Sequence, residues 1–225
     1  MSSLQIRVLS LGELQTNCYV LWSEDSHDAV IIDPADSGDL LSSFILEENL
    51  NLQATILTHG HFDHCLGLLE LSLNFAVPTY IHPEDIFLIQ NAQKSAQHWL
   101  KHAVDPVPLP SHRILDGQTI QCADFTLHAI HTPGHTPGST CFKLSPDTTT
   151  AAIYIDGTQI IPGTSVVFTG DTVFKDSFPD TRHPYSSVLQ LNESWHKLKE
   201  LDPETTLLPG HGEYCTLSET AVYKI

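Results

Sequence analysis

The amino-acid sequence predicts an α+β domain in which two β-sheets pack together and helices cover their outer faces. Short apolar segments bounded by turn residues form two strand-rich halves, and each half also contains amphipathic helical segments. The length of 225 residues suits one large domain, and a hydrophobic content of 41% is enough for a buried core. Neither an internal repeat nor a linker divides the sequence. We therefore expect a single domain over residues 1–225.

The first half is predicted to alternate strands with helices. Strands are predicted at residues 6–11, 18–22, 29–33, 54–57 and 79–81. Helices are predicted at about 65–73 and 86–100, and around Leu40, Leu41, Phe44 and Ile45, with Asp36 or Ser37 as the N-cap.

The second half is predicted to be rich in strands and to end with one helix. Strands are predicted at residues 119–121, 125–130, 139–144, 152–155, 158–161, 166–169 and 206–208. The dipeptides Asp116-Gly117 and Asp156-Gly157 are typical of hairpin turns, and the polar run 145–150 has the length of a hairpin loop. A helix is predicted at about 185–201, with a buried stripe of Val188, Leu191, Trp195 and Leu198.

Composition excludes several classes of protein. The 10 Lys and Arg against 27 Asp and Glu give a net charge of −17, which argues against a nucleic-acid binder or a polybasic membrane-surface protein. No apolar run approaches the length of a membrane-spanning helix, and no signal peptide is recognised. The five cysteines are odd in number, widely scattered and without a C-x-x-C motif, which predicts free thiols and a cytoplasmic location. The sequence does not indicate an oligomeric state.

The 14 histidines are numerous for this length, and one segment concentrates them. The run from His59 to His64 has the spacing H-x-H-x-D-H, which includes His61 and Asp63. In extended backbone His59 and His61 point to the same side, and Gly60 leaves room for a close approach. Two imidazoles for one metal ion, with a carboxylate and an imidazole for another, suit borderline divalent metals. Helix capping by Asp63 and ordinary polar loop residues are the alternatives.

Three further segments each place one ligand-type residue directly after a predicted strand and a glycine. They contain His135, Asp171 and His211. Each one alone is typical of a glycine turn with an ordinary polar residue. Because strand ends in layered sheets converge at one rim, the four segments together predict one shared site.

The ordered set of motifs, from Asn17-Cys18-Tyr19-Val20 to the glycines around His211, resembles the metallo-β-lactamase superfamily, in its glyoxalase II-like branch. The resemblance implies an αββα sandwich that binds two divalent metal ions. It implies one ion on His59, His61 and His135, the other on Asp63, His64 and His211, with Asp171 bridging them. Asp63 and Asp171 would also be the carboxylates at the reacting centre.

The sequence also differs from parts of the family pattern. β-Lactamases of the common classes carry Cys or Ser where this chain has Asp171. Only residues 213–225 follow the His211 motif, which resembles the short relatives that lack the helical glutathione-binding region. An extra hairpin is expected around Asp156-Gly157, and a Gly-Arg-x-Asp run is absent after Asp171, where Arg182 is expected to take part of its role.

The resemblance implies a dinuclear hydrolase in which a metal-bridging hydroxide attacks a thioester. A thiolate leaves without an acid, so a thioester suits a site with no evident general acid. The expected substrate is an anionic thioester, and zinc is the expected metal, although iron and manganese also suit the donors. The alternatives are a mononuclear iron persulfide dioxygenase and a lactonase-type hydrolase. Lys143, Lys175 and Arg182 are candidates to meet a substrate carboxylate, with surface solvation as the alternative for each.

Overall fold

The structure is a computed structural model that describes residues 2–146, 150–160 and 163–223. These residues contain four α-helices: α1 (Gly38–Glu47), α2 (Leu68–Asn74), α3 (Ile86–Leu100) and α4 (Val188–Leu198). The strands of the first half are β1 (Ser2–Leu11), β2 (Thr16–Ser23), β3 (Asp28–Ile32), β4 (Asn51–Ile56), β5 (Thr79–Ile81) and β6 (His112–Arg113). The remaining strands are β7 (Thr119–Gln121), β8 (Phe125–His131), β9 (Thr140–Pro146), β10 (Thr150–Ile155), β11 (Thr158–Gln159), β12 (Val166–Gly170), β13 (Thr206–Pro209) and β14 (Cys215–Thr216).

The strands form two mixed sheets. One sheet has the order β11-β10-β1-β2-β3-β4-β5-β6, and the other has the order β14-β13-β12-β9-β8-β7. Strand β1 pairs antiparallel with β2 and parallel with β10, and β12 pairs parallel with β13 and antiparallel with β9. The chain therefore contributes strands from both of its halves to the first sheet.

The main hydrophobic core lies between the two sheets. Alternate residues of β1 to β4, such as Ile6 and Ile32, pack in one cluster with residues of the second sheet, such as Phe142 and Phe168. This alternation is the pattern expected of strands that present one face to a core. The aromatic rings of Tyr19 and Phe168 meet edge to face across the core, with centroids 5.3 Å apart.

Helices cover the outer face of each sheet. Leu41 and Ile45 of α1 pack on the outward residues of β2 and β3, together with Leu71 of α2. Leu198 of α4 packs on the outer face of the second sheet. The architecture is an αββα sandwich, and the predicted α+β class with two mixed sheets is confirmed.

Local predictions met different outcomes. Helix α3 has the predicted bounds, and Asp156-Gly157 forms the turn of the β10–β11 hairpin. The predicted stripe of α4 is wrong at Val188, which is 59% exposed. The predicted hairpin across 145–150 is wrong, because β9 and β10 belong to different sheets. Residues 147–149 of that run, and residue 161 of the strand predicted at 158–161, lie outside the described residues.

No helix among the described residues combines the length and the apolar character that a membrane crossing requires. The longest of them, α3, has 15 residues, against the roughly 20 that span a bilayer.

Candidate metal centre

Four segments bring all seven predicted site residues to one place. The segment after β4 carries the run from His59 to His64, and the segments after β8, β12 and β13 carry the other three residues. Three groups have ligand atoms within 4.8 Å of one another: His59 with His61 and His135, His59 with His64 and Asp171, and Asp63 with His64 and His211. The roles of these residues as metal ligands stay a prediction, which their convergence supports.

Asp171 lies between the two histidine groups. Its Oδ1 is 3.5 Å from His64 Nε2, and its Oδ2 is 3.6 Å from His135 Nε2 and 3.7 Å from His211 Nε2. On the other side His64 Nε2 and His211 Nε2 lie 3.5 and 3.3 Å from Asp63 Oδ2. A single carboxylate thus faces donors of both groups, which is the position that a bridging ligand requires.

Two glycines allow these strand ends to approach each other. A Cβ atom on Gly210 would stand 2.3 Å from Asp171 Oδ1, and a Cβ atom on Gly170 would stand 2.3 Å from Thr58 Oγ1. Gly170 also has a φ of +47°, which L side chains rarely adopt. A larger residue at either of these positions next to the predicted ligands would clash, so glycine is required there for steric reasons.

Several donor atoms in the cluster have no hydrogen-bond partner among the described residues. These buried atoms are His59 Nε2, His64 Nε2 and Asp171 Oδ1. An unpaired buried polar group costs about 1–3 kcal/mol, so three in one place need a common explanation. Nitrogen and carboxylate donors are the ligands of borderline divalent cations. The residues present therefore fit divalent metal ions.

Asp33 positions the H-x-H-x-D-H segment through hydrogen bonds to Thr58, which precedes it, and to His64. Its carboxylate accepts hydrogen bonds from Thr58 N (2.8 Å) and Thr58 Oγ1 (2.7 Å), and its Oδ2 lies 2.9 Å from His64 Nδ1. A proton on His64 Nδ1 leaves the Nε2 lone pair directed into the cluster. From the sequence alone, Asp33 was expected at the end of a strand without a role in the site. The signal was present, because Asp33 follows β3 directly, as the predicted ligands follow other strands.

Asp85 connects the first ligand segment to the loop that carries His135. It is fully buried and accepts hydrogen bonds from Gly60 N (2.9 Å), Thr136 Oγ1 (2.7 Å) and Gly138 N (2.7 Å). Burial raises the pKa of Asp85, and these three hydrogen bonds oppose the increase. Asp85 was also missed, because it precedes a helix in a region that offered no motif.

The loop between Asp171 and α4 orients two of the histidines. His61 Nε2 lies 2.9 Å from the Tyr185 hydroxyl, while His61 Nδ1 faces His135 Nε2 at 3.0 Å. His135 Nδ1 donates to the carbonyl oxygen of Asp180 at 2.8 Å. Each of these imidazoles thus uses one nitrogen for support and turns the other towards the cluster.

Arg182 is paired within this loop and faces solvent. Its guanidinium donates to both carboxylate oxygens of Asp180, and its side chain is 90% exposed. The expectation that Arg182 takes over part of a pocket role is not supported by this placement.

Hydrogen bonds also hold the His211 side of the cluster. Thr16 Oγ1 donates to Asp63 Oδ2 at 2.9 Å. Asn17 Nδ2 donates to the carbonyl oxygens of Pro209 (3.0 Å) and Gly212 (2.9 Å), on both sides of His211. The Asn17 segment at the start of the motif pattern therefore fixes the last predicted ligand.

The electrostatic environment divides the histidines into two kinds. Burial, together with the charges of the neighbouring histidines, lowers the pKa of both His59 and His61 well below 6.5, so both are neutral donors at neutral pH. Burial also opposes charge on His64, but Asp63, Asp33 and Asp171 prevail and raise the pKa of His64 to about 10. Without a cation, a proton on His64 thus offsets part of the negative charge of these carboxylates.

Three residues outside the predicted ligand set, Cys65, Lys175 and His131, make contacts of their own. Burial raises the pKa of the Cys65 thiol, which suits a core residue better than a nucleophile. Lys175 is bound to Glu213 at 2.9 Å. His131 stacks on His82 with ring centroids 4.0 Å apart, and its Nε2 lies 2.8 Å from the Pro137 carbonyl oxygen.

Comparison with known proteins agrees with this geometry. The family model described as the metallo-β-lactamase superfamily matches residues 11–150. The chain belongs to the metallo-β-lactamase superfamily. The family resemblance and the sandwich fold that it implied are therefore confirmed.

Individual superfamily members resemble this chain along most of its length. An uncharacterized protein of Mycobacterium leprae is 35% identical, with 92% of this chain and 90% of that protein covered. The hydroxyacylglutathione hydrolase GloC of Haemophilus influenzae is 29% identical, with 96% and 94% covered. The crystal structure of TTHA1623 in a di-iron-bound form is 30% identical, with a TM-score of 0.76 and 94% of each chain covered.

Proposed function

We propose that this chain is a dinuclear metal-dependent hydrolase that cleaves thioesters, of the hydroxyacylglutathione hydrolase type. The proposal rests on the convergence of seven donor side chains. Three of their buried donor atoms have no hydrogen-bond partner among the described residues. The similarity to GloC, a protein named as a hydroxyacylglutathione hydrolase, supports the reaction class.

The proposal assigns the donors to the two sets that the family resemblance implies. His59, His61 and His135 would hold one cation, and Asp63, His64 and His211 would hold the other, with Asp171 shared. When bound, the cations supply an activated water at neutral pH and stabilise negative charge on the carbonyl oxygen. Zinc suits these donors best, and the di-iron-bound form of TTHA1623 makes iron the first alternative to measure.

The residues of the chain prepare the site before any substrate arrives. Asp33 keeps a proton on His64 Nδ1, and the Asp180 carbonyl oxygen keeps one on His135 Nδ1, so that the opposite nitrogens stay free as ligands. Asp63 and Asp171 reduce the positive charge of the bound cations without cancelling it. The loaded site would attract an anionic small-molecule thioester within a protein whose net charge is −17.

A thioester suits a site in which no general acid is evident to protonate the leaving group. A thiol has a pKa near 8.5, so a thiolate leaves without a general acid, whereas an amine does not. The proposal places the enzyme in the cytoplasm, because all five cysteines are free and buried. It includes no nucleic-acid partner, in view of the net negative charge.

The deciding experiment combines metal analysis with hydrolysis of S-D-lactoylglutathione by the purified protein. The proposal expects two metal ions per chain and steady release of glutathione that a chelator abolishes. Oxygen uptake with glutathione persulfide, in the absence of thioester hydrolysis, would instead identify a dioxygenase. Faster hydrolysis of a lactone than of any thioester would identify a lactonase.

A further inference from the structure

A cleft opens beside the cluster, between α3 and the loop that carries Tyr185. Its volume is about 410 Å³, within the range of about 300–1,000 Å³ that small-ligand pockets have. His61 and Tyr185 lie on the side of the cluster, and Phe87, Leu88 and Trp99 of α3 form the opposite wall. Because His61 belongs both to the cluster and to this cleft, a substrate at the cluster can extend into it.

The cleft is lined by apolar, neutral polar and histidine side chains. Its described lining contains neither Lys or Arg nor Asp or Glu. The nearest arginine in the sequence, Arg182, is paired with Asp180, and Lys175 lines a different cavity with Glu213. A carboxylate in the cleft beside α3 would therefore meet no permanently charged cation, and the polar side chains available to replace its hydration are those of His98, His183, Asn91 and Ser95.

Aromatic rings give the cleft its shape. The rings of Phe87 and Tyr185 meet edge to face with centroids 5.5 Å apart, and the Tyr185 ring stacks on His183 at 5.1 Å. Phe87 and Trp99 keep 39% and 63% of their surface exposed. Binding of an apolar group over these rings is favourable, because it removes apolar surface from water.

We propose that this cleft binds an uncharged aryl or alkyl group of the substrate, attached close to the scissile carbonyl. The inference rests on the proposed thioester hydrolysis and narrows its substrate class. Thioesters with an apolar group in the cleft are preferred over thioesters that place a carboxylate there. The anionic part of the substrate then lies outside this cleft. The apolar group belongs either to the acyl half or to the thiol half, and the two arms of the test below separate them.

The first arm measures kcat/KM for acetyl, phenylacetyl and succinyl thioesters of one neutral thiol, N-acetylcysteamine. The second arm compares the acetyl thioesters of N-acetylcysteamine and of benzyl mercaptan. We expect the aromatic substrate of at least one arm to exceed its acetyl reference by about tenfold. Equal rates in both arms, or a preference for the succinyl thioester, would overturn the inference.

Substitutions in α3 connect the preference to the cleft. Trp99→Ala is expected to lower the ratio of kcat/KM for the preferred aromatic thioester to kcat/KM for the acetyl reference about tenfold. Asn91→Lys adds a cation to the lining and is expected to improve the succinyl thioester while weakening the aromatic one. Leu73→Ala, on α2 and 76% exposed, is the matched control and should change neither. A preference that both cleft variants leave intact would contradict the inference.

Tryptophan fluorescence tests the cleft independently of turnover. Trp99 lies in the cleft, whereas Trp22 packs against Phe44 and Trp195 against Phe178. A non-hydrolysable phenethyl thioether is expected to change the emission of the wild type but not of Trp99→Phe. If no thioester is hydrolysed but this response is present, the proposed reaction fails and the apolar cleft stands. If thioesters are hydrolysed and the response is absent, only the cleft assignment fails.

Discussion

Two groups of histidines in this molecule have similar spacing but different geometry. The metal-centre cluster contains His59, His61 and His135, and a second group contains His82, Glu84 and His131. In both groups the candidate ligand atoms lie within 4.8 Å of one another. Proximity alone therefore does not separate a metal centre from an ordinary polar cluster.

The orientation of the rings separates the two groups. In the metal centre the planes of His59, His61 and His135 cross at 76° to 87°. In the second group the rings of His82 and His131 are stacked, 10° from parallel. An imidazole lone pair lies in the plane of its ring, so crossing planes can share one point and parallel planes cannot. Only the first group is arranged to bind one ion.

Hydrogen bonding gives the same distinction. In the metal centre the supporting nitrogens are paired, and the inward His59 Nε2 and His64 Nε2 have no hydrogen-bond partner among the described residues, while His61 Nδ1 and His135 Nε2 face each other at 3.0 Å. In the second group His131 Nε2 is already paired with the Pro137 carbonyl oxygen, and His82 Nδ1 accepts from Glu84 N. The metal centre thus contains buried nitrogens without hydrogen-bond partners, and among the described residues the second group contains none.

The largest expected difference is between alanine substitutions in the two groups. His59→Ala removes a buried donor and is expected to lower turnover more than about 100-fold. Substitution of a residue that only hydrogen-bonds to a metal ligand already lowers metal affinity or activity 10- to 100-fold. His131→Ala is the matched control and should keep both metal content and turnover near the wild-type level. Metal analysis and thioester hydrolysis measure both variants. Equal losses would mean that the ligand assignment is misplaced.

Asp171→Ala tests whether one carboxylate serves both cation positions. The variant is expected to lose occupancy of the second ion and most of its turnover together, by about 100-fold. Asp116→Ala provides a control, because Asp116 binds Lys197 at the surface near the second histidine group. Wild-type activity in Asp171→Ala would exclude the dinuclear mechanism.

The sequence predicted the cluster better than it predicted its supports. The ligand-type residues stand out because H-x-H-x-D-H is compact and because His135, Asp171 and His211 each follow a strand and a glycine. Asp33 and Asp85 act through hydrogen bonds to distant segments, 25 to 53 residues away. A single carboxylate without a neighbouring motif gives no sign of such partners, so only the folded chain identifies them.

The fold was predictable to a similar extent. Strand-rich halves and amphipathic helices gave the class, but which strands share a sheet depends on long-range pairing. The prediction of a hairpin at 145–150 failed for this reason, since β10 leaves β9 and pairs with β1 at the other end of the chain. The helix predicted at about 65–73 is observed at Leu68–Asn74, where Leu68 and Leu71 are buried and Leu73 is 76% exposed.

Asp33→Asn tests the support beneath the metal centre. An amide has the size of the carboxylate but presents a donor to Thr58 or to His64, which disturbs the orientation of the His64 ring. Metal affinity is expected to fall 10- to 100-fold, measured by competition with a chromogenic chelator. Asp28→Asn is the control, because Asp28 accepts hydrogen bonds from Asn51 and Gln53 outside the site. Unchanged affinity in Asp33→Asn would contradict the proposed role.

Tyr185→Phe tests a smaller contribution, the hydrogen bond to His61 Nε2. Tyr185 is partly exposed, so water can replace its hydroxyl, and we expect metal affinity to fall by about tenfold at most. Chelator competition measures the change, and the exposed Tyr214→Phe is the matched control. A loss of turnover as large as that of His59→Ala, with metal affinity unchanged, would show that Tyr185 acts directly in the reaction.

The smallest expected effect is that of the second histidine group on the stability of the fold. Burial, and then the charge of His131, lower the pKa of His82 to about 4, whereas an unfolded His82 titrates near 6.5. Between these values the unfolded chain binds more protons, so this residue destabilises the fold as the pH falls from 7 to 5. His82→Asn retains an acceptor for Glu84 N and removes the titration. Urea unfolding at both pH values should therefore show a pH-dependent loss about 1 kcal/mol smaller in the variant. An identical pH dependence would mean that the stacked pair tolerates a proton.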